Sequence, residues 1–291
     1  MAIHPDFDKN RWIYLSFVAG NGVKGYSTEV IRGELVGHQL SHITSMFVAL
    51  PKTKGGRHFG SRLLLQQHPD KQATYLYISL GDRGVRSQSQ QLHNHHGSII
   101  RLYDNGEIPE DNPFVRQQRT HKNIKTAIFS YGHRNVQGLA LHPITQDVWS
   151  HEHGPQGGDE LNRIEAGQNY GWPVITYGVN YGIGTKIGEG THKDNMQQPA
   201  YFWDPSIAPS GLAFYTGDHA WNNSWLVGAL KFQLLAVLSP STSNSLSEAR
   251  YLEQQYGRIR DVKVYNHRIY LLTDDTQGKL IELTPSIKAQ P

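Results

Sequence analysis

Apolar residues fall in short runs along this chain. Ile, Val, Leu, Tyr and Trp gather between turns of Gly, Asn, Asp and Pro, and long apolar patterns at helical spacing are nearly absent. That pattern predicts an all-β protein. One order of segments also recurs: an apolar stretch, a turn, a strand, then a second turn and strand. Five copies stand out. IHPDFDKNRWIYLSFV is followed by VIRGELV, ATYLYISLGD by SIIRLYDNG, and GLALHPITQDVWSHEHGP by DELNRIEAG. GLAFYTGDHAWNNSWLVGAL with LLAVLSP, and then VKVYNHRIYLLTDDTQGKLIELT, complete the series. Starts about 50 to 75 residues apart suit four-stranded β-propeller blades with long loops, whose radial repetition leaves only short edges. A β-sandwich or a pair of small barrels is the alternative, since short regular strands occur there too. No linker of biased composition interrupts the 291 residues, so a single domain over 1–291 is expected.

Within the second copy, Asn105-Gly106 predicts a type I′ hairpin turn, because both central positions of that turn need positive φ. Pro109 and Pro113 in the following EIPEDNPF then take the chain out of the sheet as a loop.

Composition narrows the function classes. Hydrophobic residues at 37%, charged residues at 18% and 29 glycines describe a turn-rich globular protein. The net charge is only +3, and Lys and Arg are scattered, which argues against nucleic acid and anionic membranes as partners. Without cysteine there are no disulfides, thiolate metal sites or cysteine nucleophiles. No apolar run reaches the roughly 20 residues of a membrane span, and MAIHPDFDKNRW lacks the regions of a signal peptide. A G-x-S-x-G elbow, a P-loop and a Rossmann glycine fingerprint are all missing.

Candidate chemistry concentrates in a few turns. In GGRHFGSRL, glycines flank His58 just before a strand, and Asp82 in LGDRG ends the next strand; together they read as a base and its orienting carboxylate. The bland reading of His58 is one surface histidine among 16. Arg134 and Asn135 pair a guanidinium with an amide able to grip a planar polar ligand, or serve as a structural cap. The turn from Glu152 to Glu160 is rich in carbonyl and carboxylate oxygen and suits calcium, while His151 and His153 allow a zinc reading that lacks a third ligand. HNHH, His93 to His96, lies in a turn without a spaced partner set and reads as solvent-facing.

Taken together, HPDFDKNRWIYLSF, HFGSRL, LGDRG, GEIPEDNPF, YGHRNVQGLA, EHGPQGGDELN, NYGWP, WDPSIAPSG, VGALK and RIRDV resemble the glucose/sorbosone dehydrogenase family. These are soluble quinoprotein aldose sugar dehydrogenases, and the resemblance runs over nearly the whole chain. It implies a six-bladed β-propeller that uses pyrroloquinoline quinone (PQQ) and calcium (Ca2+). It implies that His58 is the general base for the sugar C1 hydroxyl, with Asp82 orienting it. Arg134, counted with the catalytic group, and Asn135 would contact the quinone. Lys231, Arg258 and Arg260 would hold its carboxylates.

By the same resemblance, the carbonyls of Gly154 and Pro155 would bind the active-site calcium, and Glu160 and Tyr170 a second, structural one. Trp203, Asp204, Pro205 and Ser210 would lie near cofactor or sugar. Arg57 departs from the family pattern and is expected to change the charge beside His58. The chain begins inside a family segment, without a strand and a quinone-contacting glutamine that normally precede it, so an incomplete first blade is expected. The implied partners are an aldose and an external electron acceptor. The implied setting is periplasmic or secreted, and the expected state is monomer or homodimer. Two alternatives stand beside this reading: a calcium-dependent propeller lactonase, and a truncated propeller that only binds. Three cations at Lys231, Arg258 and Arg260 speak against the former, since a neutral lactone needs none.

Overall fold

Each copy of the repeat folds into one antiparallel sheet. The computed structural model describes residues 1–68, 73–217, 219–241 and 245–284. The first sheet runs β1 (Ala2–Ile3), β2 (Trp12–Asn21), β3 (Gly25–Val36) and β4 (Gln39–Val48), each paired with the next. The second has β5 (Leu63–His68), β6 (Ala73–Ser79), β7 (Ser98–Tyr103) and β8 (Ile128–Tyr131). The third has β9 (Val136–Leu141), β10 (Val148–Glu152), β11 (Asp159–Ile164) and β12 (Tyr201–Trp203). The fourth has β13 (Pro209–Phe214), β14 (Trp225–Ala229), β15 (Leu235–Pro240) and β16 (Leu246–Tyr251), and the fifth β17 (Ile259–Tyr265), β18 (Arg268–Thr273) and β19 (Leu280–Leu283). These are sequential meanders of the propeller-blade type.

The fold is therefore all-β and of the propeller class, but the expected count of six blades is corrected to five among the described residues. The reason is local: one repeat supplies one meander, and the chain carries five repeats. The incomplete sheet is also not the first, which has four strands; it is the fifth, which has three.

Two compact units divide the chain. One comprises Met1–Val136, Glu165–Thr176 and Ile187–Gln198; the other Gln137–Ile164, Tyr177–Lys186 and Pro199–Pro291. In the first, Leu76, Ile78, Ile100 and Ile128 are fully buried with Tyr14 and Val30. At such sites truncation to Ala costs about 2–5 kcal/mol. In the second, Leu161, Ile207, Leu234 and Leu238 form one core and Ile259, Val262, Ile269 and Leu271 another.

The HPDFDKNRW motif is architectural. Buried His4 sits 3.2 Å from Asp104 Oδ2, and its Nδ1 accepts from Asn10 Nδ2 (2.7 Å) and the Asp6 N–H (3.0 Å). Tyr14 Oη and Arg32 Nη1 donate to the Asp104 carbonyl (both 2.9 Å), so one β-turn residue ties the first sheet to the second.

The Asn105-Gly106 turn differs from its prediction. Gly106 N–H donates to Tyr103 O and Tyr103 N–H to Glu107 O, but of Asp104, Asn105 and Gly106 only Gly106 has positive φ (+90°). The reversal is thus closed by a left-handed glycine rather than a type I′ pair. Asn105 instead stabilises it through its side chain, accepting from the Glu107 N–H (2.9 Å) and donating to Glu107 Oε2 (2.8 Å). The chain then leaves the sheet, as the prolines predict. Asn112 staples the departing loop, accepting from Arg101 Nε (2.7 Å) and donating to the carbonyls of Arg101 and Thr126.

Candidate active site

The end of β6 and the loop before β5 bring His58 and Asp82 together. His58 Nδ1–H donates to Asp82 Oδ1 at 2.6 Å. Asp82 is wholly buried, whereas the His58 side chain keeps 18% exposure, enough for a substrate to reach it. Two further donors reach the carboxylate: Gly84 N–H to Oδ1 (2.7 Å) and Trp172 Nε1–H to Oδ2 (2.8 Å). Burial alone would raise the Asp82 pKa; the bond and charge of His58, with Gly84 and Trp172, outweigh it and hold the carboxyl below its ordinary value. Asp82 is therefore an anion at neutral pH, and its bond fixes the proton of His58 on Nδ1. Nε2 is left as the acceptor.

His58 sits in left-handed backbone (φ +54°), which costs about 1–3 kcal/mol at a non-glycine residue and must be held by its surroundings. Gly81 is one such constraint. A Cβ there would lie 2.2 Å from the His58 carbonyl oxygen and 2.9 Å from Asn135 Oδ1, so only glycine permits this approach. Arg83 is another. Its guanidinium lies 3.4 Å from the Phe59 ring centroid and donates to the carbonyls of Arg57 and Gly55, pinning the loop on both sides of His58. Burial pulls the Arg83 pKa down to about 10, which still leaves a cation at neutral pH.

Arg134 and Asn135 join the same group. The Asp82 N–H donates to the Arg134 carbonyl (2.8 Å), and Gly60 N–H to Asn135 Oδ1 (3.2 Å). The Arg134 and Arg86 guanidinium carbons each stand 5.4 Å from the Trp172 ring centroid. The structure thus brings His58, Asp82, Arg134 and Asn135 into one group. Sequence reasoning missed Trp172, Arg83 and Gly81 as supports; Trp172 stood in the NYGWP motif, but 90 residues from its partner.

One expectation fails here. His95 and His96 are buried, not solvent-facing, and only His93 of the cluster is exposed. The reason is that the turn is covered by the Leu50-Pro51 segment. Leu50 N–H donates to His95 Nδ1 (2.9 Å), and His96 Nε2–H to the Pro51 carbonyl (3.0 Å).

In the second unit, the Gly154-Pro155 turn is shaped by buried Asp159. That carboxylate accepts from Gly154 N–H (2.9 Å), Ser206 Oγ–H (2.6 Å) and Ala208 N–H (2.9 Å). Among the described residues no hydrogen bond reaches the carbonyl oxygens of Gly154 and Pro155. Glu160 lies directly across the β10–β11 pair from buried Glu152. Burial, then the Glu152 charge, push its pKa well above the carboxylate range. Tyr170, in the first unit, stacks on His133 (4.5 Å), and its Oη accepts from the Glu165 N–H (2.9 Å).

Lys231 is exposed, 4.9 Å from the Phe232 ring centroid. Arg258 Nε and Arg260 Nη2 both donate to Asp274 Oδ2 (3.0 and 2.7 Å), so two cations share one carboxylate. Ser210 is buried and donates to the carbonyls of Ile259 (2.6 Å) and Gly228 (3.0 Å), a structural use. Trp203 is core, with Nε1–H donating to Glu248 Oε1 (3.2 Å). Asp204 faces Gly157, where a Cβ would sit 2.5 Å from Oδ1. His153 donates Nε2–H to the Pro209 carbonyl (2.7 Å), which engages one nitrogen that the zinc reading required.

Residues 1–282 match the family model described as glucose/sorbosone dehydrogenase. The chain is 38% identical to aldose sugar dehydrogenase YliI of Escherichia coli (strain K12), over 98% of this chain and 76% of the relative. It superposes on a crystal structure of a glucose dehydrogenase with a TM-score of 0.90 at 38% identity, over 98% of this chain and 82% of that one. The PQQ-bound aldose sugar dehydrogenase of Streptomyces coelicolor is similar with a TM-score of 0.73 at 27% identity, over 96% and 77%.

Proposed function

The chain belongs to the glucose/sorbosone dehydrogenase family of oxidoreductases, and from that membership we propose that it oxidises the C1 hydroxyl of aldose sugars to lactones by hydride transfer to PQQ. The observation that carries the chemistry is the His58–Asp82 pair. Nε2 of His58 is placed to take the C1 hydroxyl proton, and a bound quinone would supply the acceptor for the C1 hydride as the C1–O bond becomes a carbonyl. Asp82 keeps the imidazole in the productive tautomer and stabilises the imidazolium that forms, as an ionised carboxylate with two other donors is able to do. Gly81 and Arg83 hold the His58 loop in place while this happens.

The donor chemistry fits the implied groups. Arg134 and Asn135 in the first unit offer planar donors to a quinone, and in the second unit Arg258 and Arg260 share the one Asp274 carboxylate while Lys231 is exposed beside Phe232, cations suited to an anionic cofactor. The open carbonyls of Gly154 and Pro155 are hard oxygen donors of the kind calcium takes. Glu160, opposite Glu152, gains a charge partner if a second calcium binds there. When bound, the quinone supplies the two-electron acceptor and calcium a Lewis acid at its carbonyl.

The reading carries with it an external electron acceptor and a periplasmic or secreted setting. Among the described residues no helix is long and apolar enough to cross a membrane. The test is steady-state turnover after loading with calcium and PQQ. Aldose-dependent reduction of an artificial dye, lost in His58→Ala, is the outcome expected. Lactone hydrolysis that needs no quinone would favour the lactonase reading instead.

A further inference from the structure

A second cleft lies in the first unit, among residues the reaction above does not use. It measures about 590 Å³, within the range of about 300–1,000 Å³ for small-molecule sites. Met46, Phe47, Leu102 and Ile108 give it an apolar floor, and the loop stapled by Asn112 walls it. Its polar contributors are donors and amides: His95, Lys122 and Lys125 stand beside Gln118 and Asn123, and no carboxylate lines it.

His95 is the informative residue. It is 93% buried (7% exposed) and packs against Phe47 with ring centroids 5.0 Å apart. Its Nδ1 accepts the Leu50 N–H, so in the neutral ring the proton sits on Nε2. Burial, then the charges of Lys125 and His96, push its pKa down to about 3, which keeps the ring neutral and this tautomer fixed. Among the described residues Nε2 has no hydrogen-bond partner. Unlike His96 Nδ1, it is not among the fully buried atoms left without a partner, so it is open to solvent and free to donate to a ligand acceptor.

We propose that this cleft binds a small amphipathic anion, an aromatic or aliphatic carboxylate whose apolar body lies on Met46, Phe47, Leu102 and Ile108. Its carboxylate accepts from His95 Nε2–H and pairs with Lys122 and Lys125. The complementarity is specific in sign, because a cation would meet two ammonium groups and no anion. The site is separate from the dehydrogenase reading, and its readout is binding rather than turnover, so each stands or falls alone.

Isothermal titration calorimetry of the full chain with 1-naphthylacetate and its uncharged isostere 1-naphthylacetamide tests the proposal. The acid is expected to bind about tenfold or more tighter than the amide, the margin of a charge-assisted hydrogen bond with an ion pair. Replacing both exposed-edge cations, Lys122→Gln with Lys125→Gln, brings the acid to the level of the amide. Ile108→Trp, at a partly exposed position, fills the cleft and abolishes both. His95→Phe weakens both, since the Nε2 donor serves either acceptor; the lysine and Ile108 variants do not depend on that buried change folding. Equal binding of acid and amide, binding indifferent to the double lysine change, or no binding at millimolar ligand overturns the proposal.

Discussion

Three donors reach Asp82, and changes at the carboxylate and at one of its donors have different expected signatures. Asp82→Asn leaves the loop nearly isosteric but frees the His58 tautomer, so kcat is expected to fall about 10²–10⁴-fold, the range of a positioned general base. Trp172→Phe deletes one donor to Oδ2 and leaves a buried oxygen short of a partner, which costs about 1–3 kcal/mol in a denaturant titration. It also shifts the pH dependence. The folded Asp82 pKa is depressed, so its contribution to stability is present above the ordinary aspartate value and is lost as pH falls through the folded one. With one donor gone, that acid loss begins at higher pH; an unchanged acid limb would show that Trp172 does not bear on the carboxylate. The pair itself was legible, because LGDRG ends the strand after HFGSRL. The Trp172 support was not, since 90 residues separate donor from acceptor.

At the scale of elements, legibility depended on whether a turn reported on itself or on what covers it. The strand runs and prolines of the second sheet announced their own boundaries, and the exit loop follows as expected. The Asn105-Gly106 reversal was placed correctly but not typed, because Asn105 spends its side chain on Glu107 instead of its backbone on positive φ. HNHH was read as exposed because nothing in those four residues shows that Leu50 and Pro51 pack over them. Gly81 ties an element to the site. Gly81→Ala would drive a Cβ to 2.2 Å from the His58 carbonyl, so the strand end and the His58 loop must separate. The expected result is a loss of activity at least as large as that of Trp172→Phe, with stability falling too; full activity would show that this loop is slack.

For the whole molecule, the repeat count was the better guide to architecture than the family expectation. Five repeats produced five sheets among the described residues, while the count of six came only from resemblance. The matched family segment, residues 1–282, spans both compact units. One whole-chain property follows from the Glu152–Glu160 pair. Because the folded Glu160 pKa is raised, the associated stability is full below the ordinary glutamate value of about 4.5 and declines as pH rises through the folded value. Glu160→Gln is therefore expected to flatten the loss of thermal stability from mildly acidic to neutral pH in metal-free buffer. Added calcium should recover that loss in the native protein and not in the variant.

The central proposal is that His58, oriented by Asp82, removes the C1 hydroxyl proton of an aldose, with bound quinone as the hydride acceptor. Its most direct measurement is the single-turnover rate of quinone reduction on mixing aldose with the loaded protein, compared with His58→Ala at matched quinone occupancy. The account predicts that the variant still binds quinone but reduces it about 10²–10⁴-fold more slowly. Equal rates in the two proteins, or folded native protein that takes up no quinone, would contradict it.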